Sequence, residues 1–92
     1  MKLKNSKPNT EKFRFVLLDD NRDFKEVLYE SETFDGYRSQ EFGKEYLHQI
    51  LVFADKYNFI NYDNAPDIEV QVKYNDNDWE YYSNAIEEYF NY

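Results

Sequence analysis

Ninety-two residues suffice for one domain with a modest core, and the absence of cysteine excludes disulfides, thiolate zinc sites and thiol nucleophiles and favours the cytoplasm. A net charge of −8 opposes direct binding to nucleic acid or anionic membranes. No apolar run approaches the roughly 18–20 residues that span a bilayer, and the first ten residues are basic without the apolar core of a signal peptide.

The charge is unevenly placed. Residues 1–14 carry five cations against Glu11, a net of +4, whereas residues 15–92 carry six cations against eighteen acids, a net of −12. Residues 1–10, rich in Lys and Asn and lacking apolar periodicity, read as a flexible basic arm; residues 11–92 read as a single acidic domain. Eight Phe, ten Tyr and one Trp can fill a small core, and the tyrosine excess places some rings at the surface, where Tyr and Trp serve as interface anchors. Coding bias and solubility explain the same tyrosine and acid excess without a partner.

In chain order, Lys12 to Leu18 alternates Phe13, Phe15 and Leu17 on one face, the pattern of a strand. Residues 19–23 are turn formers. Phe24 to Ser31 fits a strand in hairpin with the first, although Phe24, Val27, Leu28 and Ser31 also share a helical face. Residues 32–38 form a loop broken by Gly36. Ser39 is an N-cap for a helix running to about Asn58, with Phe42, Tyr46, Ile50 and Ala54 as its stripe, widened by Leu47 and Leu51 and continued by Tyr57. A connector from Phe59 to Pro66 holds the turn formers Asp63 and Asn64. Ile68, Val70, Val72 and Tyr74 then alternate with polar residues, as in a half-exposed antiparallel strand. A turn over 75–78, with Asn77 or Asp78 as N-cap, opens a final helix whose stripe is Tyr82, Ala85, Ile86 and Tyr89. The expected fold is α+β: a small antiparallel sheet of about three strands covered by two helices, in the order β-β-α-β-α.

Motifs of catalysis are missing from this pattern. The single histidine, His48, falls in mid-helix with no thiol partner. Two glycines leave no phosphate-cradling loop. Asp19, Asn21, Asp23 and Glu30, and again Asp76, Asp78, Glu80 and Glu87, match the 1, 3, 5 and 12 spacing of a calcium loop. Both series lack the glycine at position 6, so no metal or other cofactor is expected.

What remains is a surface. Between Tyr62 and Tyr92 stand eight acids against Lys73, a net of −7. Carboxylates two apart on a strand, such as Asp67 and Glu69, are spaced about 6.6–6.8 Å, comparable to phosphates along a DNA strand. In size, acidity, lack of cysteine and the segment from Asp63 to Tyr92, the chain resembles the small acidic inhibitors that phages and mobile elements encode against host defence nucleases, the anti-CRISPR and anti-restriction DNA mimics. The resemblance implies a non-catalytic protein, working in the host cytoplasm, that occupies the basic DNA-binding or PAM-reading groove of a nuclease effector; allosteric inhibitors occur in the same class. The basic arm departs from pure mimicry. On this reading Asp67, Glu69, Asp76, Asp78, Glu80, Glu87 and Glu88 stand in for phosphates, and Trp79, Tyr81 and Tyr82 are packing anchors. An immunity protein against a basic nuclease toxin, or an acidic interaction domain without mimicry, would draw on the same residues.

Overall fold

The computed structural model describes residues 8–60 and 65–91; the first seven residues of the expected arm, the turn formers Asp63 and Asn64, and Tyr92 lie outside them. The elements run β1 (Thr10–Leu18), β2 (Phe24–Glu30), β3 (Phe34–Asp35), α1 (Gln40–Lys56), β4 (Ile68–Tyr74), β5 (Glu80–Asn84) and α2 (Ala85–Phe90). The α+β class and the antiparallel sheet are as expected. The sheet has five strands rather than about three, and the order is β-β-β-α-β-β-α.

β1 is the central strand. It pairs antiparallel with β2 and β3 on one side and with β4 on the other, and β4 pairs with β5. Neighbours on both edges pair its backbone, and Phe13, Phe15 and Val16 are all fully buried. Phe13, Phe15 and Leu17 pack into the core under α1, while Val16 and Leu18 lie outside that cluster, on the opposite face. Residues 24–30 take the strand alternative. Register shifts leave Lys25 and Leu28 without partners on β1. Such bulges twist an edge strand and discourage pairing with other chains.

α1 begins where Ser39 Oγ accepts from the Phe42 N–H at 3.1 Å. It ends two residues earlier than the pattern suggests. Asn58 adopts φ +57°, and the Phe59 N–H donates to the Ala54 carbonyl at 2.9 Å, the left-handed closure that terminates many helices. Phe42, Ile50, Phe53 and Ala54 are buried. Leu51, expected in the stripe, is 47% exposed, because at 100° per residue it rotates off the line joining Ile50 to Ala54.

Two expectations are corrected. The loop over 32–38 contains β3, short enough to escape any periodicity, with Phe34 buried against Phe42. Gly36 follows at φ +88°, a conformation only glycine adopts freely. The final helix is much shorter than its pattern: residues 80–84, read as its first turns, form β5, and α2 is capped by Asn84 rather than Asn77 or Asp78. The open edge of β4 offers pairing to Glu80, Tyr81, Ser83 and Asn84, and aromatic side chains suit a half-buried sheet better than a helix. Tyr82 falls in the register shift of β5 and joins the core on the helix side.

The core is built of rings. Phe13 meets Phe42 and Tyr46, each at 5.3 Å, and Phe15 meets Phe53 at 4.8 Å, all edge to face. Six of the eight described tyrosines pack against this core, so the tyrosine excess is spent largely inside; Tyr37 and Tyr81 are exposed.

Candidate protein-binding surface

The helix-free face of the sheet follows from the register. Cross-strand neighbours share a face, so Glu30, Arg14, Gln71 and Tyr81 form one row across four strands. Arg14 Nε donates to Gln71 Oε1 at 2.8 Å, and Gln71 Nε2 donates to Glu69 Oε2 at 2.8 Å. Lys12 pairs with Glu30 at 2.6 Å. Burial, against the charges of Glu30 and Glu69, lowers the Arg14 pKa from its ordinary value.

Trp79 lies over this row. Its ring is 4.3 Å from the Arg14 guanidinium, 5.7 Å from Lys12 Nζ and 5.8 Å from Lys73 Nζ. Three cations on one indole fix the ring through its negative face. The turn leading to it is also tied down. Asn75, at φ +52°, accepts through Oδ1 from the N–H groups of Asn9 and Thr10 at 3.0 and 3.1 Å. Asp76, Asp78 and Glu80 project from this turn, exposed and unpaired among the described residues.

The expected site residues separate into three places. Asp76, Asp78 and Trp79 stand in the β4–β5 turn, and Glu80 follows as the first residue of β5. Asp67, Tyr81 and Glu87 line an open cleft of about 380 Å³ with Arg22 and Asn84. The two ends of β4, Ile68 and Tyr74, are about 20 Å apart at the rise of a strand. Glu69 sits between them. Tyr82 and Glu88 belong instead to the helix side, where Tyr82 meets Tyr46 at 5.8 Å.

Asp67 is not a free acid. It accepts from Arg22 Nε at 2.9 Å and from Asn84 Nδ2 at 3.1 Å, joining the β1–β2 turn to the start of α2. Asp19 and Asp20 lie beside it in a second cleft. The two calcium-like spacings fall on these hairpins: residues 19–30 run from a turn into β2, and residues 76–87 contain the whole of β5. Neither has the helix–loop–helix frame such a loop requires.

Sequence reasoning missed the cations under Trp79. The signal was present: alternation places Lys12 and Arg14 opposite Phe13 and Phe15, on the face of Gln71 and Lys73. It also missed Glu11, which is 1% exposed, pairs with Arg38 and accepts from the Arg38 N–H at 2.7 Å. The Arg38 guanidinium is surrounded by the rings of Tyr37, Phe42, Tyr74 and Tyr82 at 4.6–5.9 Å. Among the described residues no helix is long and apolar enough to cross a membrane. The chain matches no protein-family model, no curated protein and no solved structure.

Proposed function

We propose that the chain is a non-catalytic inhibitor that occupies a basic, nucleic-acid-binding surface of a nuclease effector, its carboxylates taking the place of phosphates. One observation supports this reading above others: Asp76, Asp78 and Glu80 present three carboxylates, unpaired among the described residues, within five residues and around an indole held in place by Arg14. Exposed acids on an anchored turn lose little freedom on binding, and an aromatic beside them supplies the apolar contact that charge alone lacks. Glu69 and Glu87 extend the negative charge along β4, while the charge of Asp67 is met by Arg22.

The test is competition. Labelled duplex DNA bound to a purified CRISPR or restriction effector is displaced by the protein, less effectively as salt rises. The double reversal Asp76→Lys/Asp78→Lys slows association on the order of tenfold. If DNA and protein occupy every effector tested together, without interference, mimicry is wrong.

A further inference from the structure

We propose that the seam between α1 and α2 holds a pocket for one lysine or arginine side chain. Gly43, Tyr46, Leu47 and Ile50 of α1 and Glu88 of α2 enclose a cleft of about 130 Å³. That is near the ~150 Å³ that accommodates a benzene-sized group. Its lining is mostly apolar, suited to an alkyl chain. Gly43 forms part of its wall, and a Cβ at that position would stand in open space with nothing within 4 Å.

The polar groups decide what the alkyl chain must carry. The Tyr46 hydroxyl is buried and finds no hydrogen-bond partner among the described residues. Glu88 has no ion-pair partner among them either. Burial, then the charge of Glu88, and also hydrogen bonding of the hydroxyl toward that carboxylate push the Tyr46 pKa up, so its oxygen remains a neutral phenol that faces Glu88. The nearby cation, Arg38, is already engaged by Glu11. The phenol can donate one hydrogen bond to the carboxylate but cannot neutralise it, so a purely apolar occupant would leave the Glu88 charge without a cation. A lysine or arginine lays its methylenes along Leu47 and Ile50 and brings donors to both oxygens.

The inference rests on the reading above only for which protein supplies the side chain; the pocket itself can be tested without that protein. Amide chemical shifts are followed while Nα-acetyl-lysine methylamide is added, with the norleucine analogue as the uncharged control. Lysine shifts Gly43, Leu47 and Glu88 and binds about fivefold more tightly than norleucine, the effect of one partly buried ion pair. Glu88→Gln abolishes that preference. Gly43→Leu, which fills open space on a helix and favours folding, abolishes binding of both. Equal binding of the two probes, undiminished binding to the folded Gly43→Leu variant, or no shift at these amides overturns the proposal. DNA competition at the β4–β5 turn is a separate measurement, so either reading can fail alone.

Discussion

At the scale of single residues, the most consequential side chain is Glu11. It is buried beneath the sheet beside a left-handed Arg38, at φ +51°, whose N–H and guanidinium it holds. Removing one partner of a buried pair leaves the other uncompensated. Glu11→Ala is therefore expected to cost about 3 kcal/mol, the lower end of the range for buried pairs because Arg38 is 29% exposed; urea denaturation measures it. A second residue-scale prediction concerns pH. The Glu45 carboxylate accepts from Tyr29 at 2.6 Å and from Gln49 at 2.9 Å, and these bonds hold its pKa below the ordinary value of 4.5 despite burial. A depressed acid contributes stability that is present above 4.5 and is lost as pH falls through its folded value. In Tyr29→Phe the carboxyl titration of Glu45, read by NMR, moves up toward 4.5 and the acid limb of stability flattens. Tyr29 has the opposite sense: burial, then the bond to Glu45, push it above 10, so its contribution persists below 10 and fades only in stronger base.

At the scale of elements, the alternating strands and the long helix were legible because their periods are sustained. β1 and β4 show alternation over most of their length, and α1 carries its stripe through four turns. β5 was not legible. Tyr82, Ala85, Ile86 and Tyr89 do recur as on a helix, but only the last three stand on α2; Tyr82 reaches the same core from a bulged strand. The helical reading failed because a nearby unpaired edge, which no local pattern reveals, won residues 80–84. The candidate turn was legible as an acidic segment; of its clamp only the face was legible, from the alternation of Lys12 and Arg14 with Phe13 and Phe15, and no local pattern brings that face to Trp79 from the other end of the chain. The junction of β5 and α2 also gives a prediction. Asn84 Oδ1 accepts from Ile86 N–H at 3.0 Å while its Nδ2 donates to Asp67. Asn84→Ala loses both the cap and the tie and should cost about 1–2 kcal/mol. Asn84→Ser keeps the cap acceptor and should cost less than half as much, judged by thermal denaturation of the two variants side by side.

At the scale of the whole molecule, charge opposes folding as well as steering partners. Nineteen acids face eleven cations, and the described ion pairs are Lys12–Glu30, Arg22–Asp67 and Glu11–Arg38. Repulsion among the remaining carboxylates outweighs these contacts at low salt. Raising NaCl from about 10 to about 150 mM shortens the screening length from ~30 to ~8 Å, and the urea midpoint is expected to rise. A fall would mean that the ion pairs dominate.

The central position of β1 governs how the chain reaches its fold. Its hairpin with β2 closes locally, as the 18-residue separation of Lys12 and Glu30 shows, but its other edge waits for β4, 57 residues away at Arg14 and Gln71. Loops of that length close slowly, so β4, β5 and α2 are expected to dock last in the folding reaction. During synthesis the hairpin leaves the ribosome before its completing strand has emerged. A nascent chain halted before Ile68 exposes the inner edge of β1, with Phe13, Phe15 and Val16 along it, as a template for any other strand.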